Sequence, residues 1–139
     1  MQTRSLVDQA QRLSDEAAIR GLLDRYSDAV FRRDAGDWGS CWSEDARWSL
    51  MGTEVAGRDA IVALWTQAMS GFSFVAFFAQ PGVIAVDGDR ATGRVWTHEV
   101  LEAVDGSVTR PIGRYDDVYL RLPDGWRFTS RRYQMLRRN

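Results

Sequence analysis

Three Asp-Gly pairs, Asp87-Gly88, Asp105-Gly106 and Asp124-Gly125, divide the second half of the chain into four stretches at 72–86, 90–104, 107–122 and 126–136. Asp-Gly between alternating apolar runs is hairpin chemistry, because the tightest hairpin turns need positive φ at their central residues. The spacing therefore predicts a long antiparallel meander. Strands of this length twist and curl, and Pro81-Gly82 inside the first predicts a bend or bulge there.

Ahead of the meander the period changes from two to about 3.6. Ile19, Leu22, Leu23, Tyr26, Ala29 and Val30 recur at three- and four-residue steps, one buried face of a helix. Residues 1–12 are polar and weakly periodic, a frayed lead-in, so the domain is expected over 13–136 with 137–139 as a basic tail. A short helix is predicted from Asp37 to about Ser43, with Trp38, Cys41 and Trp42 on one side. Residues 46–51 alternate as a strand, Gly52 and Gly57 bracket a brief return strand, and Arg58 to Ser70 is helical again through Ile61, Leu64, Trp65, Ala68 and Met69, closed by Gly71. Helices followed by a curled meander describe an α+β chain: a cone-shaped roll with N-terminal helices packed into a strongly curved antiparallel sheet. Cones have mouths.

At 139 residues the chain is one domain's worth. Eighteen basic against nineteen acidic residues lack the positive field that non-specific nucleic-acid binding requires, and Arg131, Arg132, Arg137 and Arg138 read as a solvated strand edge. One histidine and the single Cys41 offer neither a disulfide nor a metal-ligand cluster, and no Walker loop, dinucleotide fingerprint or Gly-x-Ser-x-Gly elbow is present. No metal, no cofactor and no nucleic-acid partner are expected. Without an apolar run of membrane-spanning length or a signal-peptide core, a cytoplasmic protein with no membrane partner is expected.

Asp34 lies on the helical wheel about 40° from Val30 and about 20° from Leu23, so the apolar stripe ends in a carboxylate. Two readings stand: a buried acid put to use, or a solvated residue near Gly36 that caps the next short helix. In Val95-Trp96-Thr97-His98-Glu99-Val100-Leu101 the alternation puts Val95, Thr97, Glu99 and Leu101 on one face. If that face lines the cone, Glu99 is interior and His98 is outside. In the last strand Arg127, Thr129, Arg131 and Tyr133 share a face, and an inward Arg131 needs a carboxylate, for which Asp34 or Glu99 would serve. Aromatic residues make up 12% of the chain, enough to line a pocket for a planar apolar molecule or to fill a core.

Arg25-Tyr26 followed by Asp34-Ala-Gly-Asp-Trp38, then Asp45-Ala-Arg-Trp48, Gly57-Arg-Asp-Ala-Ile61, Ile84-Ala-Val-Asp-Gly-Asp-Arg-Ala91, Tyr115-Asp-Asp-Val-Tyr119 and Asp124-Gly-Trp-Arg-Phe128-x-x-Arg131 form an ordered series. In that order the sequence resembles the nuclear transport factor 2-like superfamily, and within it the SnoaL-like polyketide cyclases, dehydratases and dehydrochlorinases. The resemblance implies a homodimer formed through the outer sheet face. It places Asp34 on the acid that pairs with a catalytic histidine, Arg131 on the family's arginine, and Trp48, Phe72, Val75, Thr97 and Tyr115 on pocket-lining positions. Glu99 falls where bile-acid dehydratase-like members carry a pocket aspartate. Phe77 stands where the histidine would be, Pro81 where its asparagine would be, and Ala29 where the dehydrochlorinase has a lysine, so the Asp-His dyad is absent. Tyr26, Met69 and Phe77 complete the candidate lining. The expected function is a small-molecule pocket enzyme, a lyase or isomerase moving a proton on an apolar, cyclic substrate. Glu99 or Asp34 would be the base, and Arg131 would orient the acid or stabilise an oxyanion. The alternative is a non-catalytic ligand-binding or assembly domain that kept the cavity and lost the histidine.

Overall fold

The hydroxyl of Ser5 accepts a hydrogen bond from the Asp8 amide and so starts α1 (Leu6–Arg32), which Arg33 closes in the left-handed conformation. The computed structural model describes residues 5–139. The cap at Ser5 makes residues 6–12 helical rather than frayed, and residues 1–4 of that expected lead-in lie outside the described residues. The predicted stripe is the buried face of α1, extended backwards by Asp15.

After Asp34 comes α2 (Ala35–Ser40), earlier and shorter than predicted because the chain enters β1 (Trp42–Leu50) directly after Cys41. A tight turn leads to β2 (Thr53–Ala56), then α3 (Arg58–Met69), β3 (Phe72–Asp87), β4 (Arg90–Ala103), the short β5 (Val108–Thr109), β6 (Ile112–Leu122) and β7 (Gly125–Arg137). The glycines of the three Asp-Gly pairs all take positive φ. The sheet order is β2-β1-β7-β6-β4-β3, with β5 paired to β4. The meander is antiparallel as predicted, whereas β1 joins β7 in parallel. The register of β3 slips between Pro81 and Ile84, where the sequence called for a bend. No helix among the described residues is long and apolar enough to cross a membrane.

A second slip decides what β7 presents to the interior. Val118 pairs with Ser130 and Tyr119 with Phe128, leaving Thr129 as the extra residue of a bulge. One inserted residue inverts the alternation. The inward set is therefore Trp126 and Phe128 before the bulge, and Arg131 after it. Arg127 and Thr129 do not share the face of Arg131 and Tyr133, which corrects the strict alternation expected from the sequence.

Helix α1 packs on β3 and β7, and α3 on β1. The core between helices and sheet is aromatic: Trp38 stacks on Trp65 with centroids 4.6 Å apart, and Tyr26 meets Trp38, Trp42, Phe77 and Phe128 at 5.4–6.3 Å. Near the other end of α1, Asp15 is buried and takes two hydrogen bonds from Arg121, at 2.6 and 2.8 Å, and one from Trp126 Nε1 at 3.3 Å. These bonds hold its carboxyl below the usual range, against the opposing effect of burial.

Candidate functional site

A cavity of about 250 Å³ remains between the helices and the sheet. Its floor is built from four elements: Tyr26 of α1, Trp48 of β1, Phe77 of β3 and Tyr115 of β6, each no more than 6% exposed. Trp65 and Met69 of α3 close one side, and Glu99 and Leu101 of β4 the other. A larger trough of about 690 Å³ crosses the outer sheet face past Arg94, Trp96, Asp116 and Arg132. It is open and charged, while the inner cavity is where buried polar groups converge on apolar walls.

Glu99 is the carboxylic acid that lines that cavity. It is interior because it shares the face of Val95 and Thr97, as the alternation predicted. Among the described residues its carboxyl has no hydrogen-bond donor and no cation as partner. Burial alone acts on it, pushing its pKa from 4.5 up to about 7. His98 faces away, beside Phe78 on the outer surface.

The hydroxyls near the floor are held against ionisation. Tyr115 accepts a hydrogen bond from Trp48 Nε1 at 3.2 Å, and burial raises the pKa of both Tyr115 and Tyr26. Tyr133 of β7 reaches the cavity wall by an unusual path. Its ring crosses β6 over Gly113, where a β-carbon would overlap the ring and hydroxyl. Burial, with Glu99 nearby, pushes its phenol up to about 12.

Arg131 is fully buried but does not line the cavity. It sits behind the floor, its guanidinium carbon 3.8 Å from the centre of the Tyr115 ring and 4.7 Å from that of Tyr26. Its partner is neither Asp34 nor Glu99. Asp117 accepts from Arg131 Nε at 2.7 Å and from Nη2 at 3.1 Å, and also from the Tyr119 hydroxyl at 2.8 Å. The sequence did carry a signal for Asp117: in Tyr115-Asp-Asp-Val-Tyr119 alternation must turn one acid inward with the two tyrosines. Nη1 of Arg131 is buried without a partner among the described residues.

Asp34 is not in the site. It is the N-cap of α2, accepting from the Asp37 amide at 3.0 Å and from Arg32 at 3.1 Å, with its side chain 43% exposed. Those partners, the amide foremost, lower its pKa. The helix ends at Arg32, so the wheel that placed Asp34 on the stripe no longer applies at residue 34. Of the candidate lining, Tyr26, Trp48, Met69, Phe77 and Tyr115 touch the cavity. Val75 and Thr97 are buried and Phe72 packs partly buried against the core, but none of the three lines the cavity. Sequence reasoning missed Met51, Leu101, Pro111, Tyr133 and Met135, all of which line it. Among the described residues no three His, Cys, Asp or Glu side chains form a metal-binding group.

The sequence profile of the SnoaL-like domain matches residues 11–132. An uncharacterized protein of Mycobacterium tuberculosis is 32% identical over 133 residues, covering 92% of this chain and 89% of its own. A scytalone dehydratase-like protein from Novosphingobium aromaticivorans superposes with a TM-score of 0.87 at 17% identity, over 94% of this chain and 90% of that one. A hexachlorocyclohexane dehydrochlorinase of type 2 does so with a TM-score of 0.87 at 20% identity, over 94% and 91%. At these identities the two structures establish a shared cone fold, the nuclear transport factor 2-like architecture.

Proposed function

This chain belongs to the SnoaL-like domain family, and from that membership and the chemistry of its cavity we propose a cofactor-independent lyase or isomerase acting on a small, apolar, cyclic substrate, with Glu99 as the proton-transfer group. The observation that carries the reading is an unpartnered carboxyl on the wall of an apolar chamber, held near neutrality by burial. A base poised there both accepts a proton from carbon and returns it without a large penalty in either direction. As base, Glu99 takes a proton from a C–H bond next to the substrate's activating group. The freed pair then forms a double bond, either expelling a leaving group on the adjacent carbon or shifting until Glu99 returns the proton at another carbon. The names of the structural neighbours, a dehydratase and a dehydrochlorinase, fit eliminations of this kind.

Arg131 keeps an indirect part in this reading. Its positive charge lies under the Tyr26 and Tyr115 rings and favours their ionised forms, opposing burial, so it tunes the floor rather than touching substrate. Phe77 lines the cavity wall, and the resemblance puts it where a histidine would stand; on that reading the role of base passes to Glu99, or the chamber serves ligand binding alone. A homodimer through the outer sheet face and a cytoplasmic location belong to the same proposal; exposed Phe78 and Trp96 on that face support the dimer.

The test is turnover of one- and two-ring alcohols, ketones and halides by the wild type and by Glu99→Gln. The rate is expected to rise with pH through about 7, and the variant to lose ~10²–10⁴-fold. Undiminished turnover by the variant would remove Glu99 from the mechanism. Ligand binding without turnover in either protein would leave the binding-domain reading standing.

A further inference from the structure

Three thioethers line the cavity at positions that solvent also reaches, and so belong to its rim. Met51, Met69 and Met135 come from three different elements and all line it; Met51 is 63% exposed, and the other two are half-buried. Two sides of this rim differ in how they are held. On the α3 side, Arg33 donates hydrogen bonds to the carbonyls of Met69 and Phe72 at 2.6 and 2.7 Å, bracing the end of the helix. Met51, by contrast, rides on the two-residue turn between β1 and β2.

Met51 is an unsuitable residue for that turn. It has φ 43°, followed by Gly52 at φ 92°, the paired left-handed conformations for which Asn-Gly or Gly-Gly is preferred. A methionine there carries backbone strain from its β-carbon and exposes a long apolar side chain to water. Both costs fall on one residue that also lines the chamber. Strain held at a ligand-lining position points to use, and unbranched, polarizable methionine adapts to apolar groups of varied shape.

We propose that Met51, with Met69 and Met135, forms an outer apolar subsite that grips the hydrocarbon portion of substrates too long for the inner chamber, and that Met51 sets the preference for such substrates. The proposal rests on the inner chamber being the binding site assigned above. The substrate class it names is a cyclic head group bearing an alkyl or second-ring extension. The head reaches Glu99, and the extension leaves between the braced α3 rim and the adaptable turn.

The experiment compares the binding of p-cresol and 4-hexylphenol by calorimetry to the wild type, Met51→Asn and Met51→Leu. Asn suits the left-handed position, so Met51→Asn removes the thioether without endangering the fold. The wild type is expected to bind 4-hexylphenol at least about tenfold more tightly than p-cresol, since each buried methylene is worth a fewfold in affinity. Met51→Asn should weaken 4-hexylphenol by about tenfold and leave p-cresol within about threefold, while Met51→Leu restores most of the preference. Equal weakening of both phenols by Met51→Asn, or no weakening of either, overturns the outer subsite while leaving the chamber intact. Failure of the wild type to bind even p-cresol is the distinct result that rejects the chamber itself, and the subsite with it.

Discussion

Replacing Glu99 by Gln should change how the stability of this protein depends on pH. Burial keeps the Glu99 carboxyl protonated to about pH 7 in the folded chain, against 4.5 when it is free in water. The folded state therefore holds a proton that the unfolded state has already released. The resulting stability is fully present below about pH 4.5 and is lost as pH rises through about 7. The interval between those values corresponds to up to about 3 kcal/mol. Glutamine keeps the shape and polarity of the neutral acid but cannot ionise, so the variant lacks this loss. Urea unfolding of both proteins at about pH 5 and about pH 8.5 isolates the effect, because every other titrating group is common to the pair. The wild type should lose up to about 3 kcal/mol more than Glu99→Gln between the two conditions. Parallel pH profiles would refute the argument, showing that the carboxyl is solvated or has found a partner, and would also take away the poised base.

Asp117→Ala strands the Arg131 guanidinium in the core and should cost about 3–5 kcal/mol in urea unfolding. Asp34→Ala removes only a helix cap and a partly exposed ion pair, so a much smaller loss than for Asp117→Ala is expected, and a larger one would contradict both placements. Gly113→Ala pushes a β-carbon into the Tyr133 ring, with an expected loss of about 1–3 kcal/mol by thermal melting. Adding Tyr133→Leu should recover part of that loss, and strictly additive effects would show that the ring does not cross Gly113.

The acid of the first helix shows how far a wheel diagram reaches. The stripe from Ile19 to Val30 was legible, and so was the rule that an acid on it must be paired or put to use. The rule holds for Asp15, about 40° from Ile19 on the same wheel, and not for Asp34. Asp15 lies inside the helix, whereas Asp34 follows its last turn, and where a helix stops depends on caps and on what packs beyond it. Asp15 satisfies its charge through Arg121 and Trp126, residues more than a hundred positions away that only the closed sheet brings to it.

The partner of Arg131 was lost for a related reason. The sequence offers two readings of Arg131, a solvated strand edge or an inward cation in need of a carboxylate; its full burial overturns the first, and the need for a carboxylate holds. Choosing Asp117 required knowing that β6 and β7 are neighbours and where they slip, since the bulge at Thr129 sets which side chains of β7 face Asp117. Glu99, by contrast, needed only the alternation of its own strand to be grouped with Val95, Thr97 and Leu101, but both faces carry apolar residues, so which one lies inside was left to the fold.

Local rules thus determined the elements of this protein: the turns from Asp-Gly chemistry, the helices from apolar period, the bend of β3 from Pro81-Gly82, and which residues of β4 share a face. These depend on residues close in sequence, whose energies act before the chain is folded. Tertiary structure alone decided which charges pair, which aromatic rings fill the core and which border the cavity, and that three methionines line it. Those outcomes depend on strand register and on the distance between helices and sheet, quantities fixed by the packing of the whole domain and by single-residue slips that sequence period does not record.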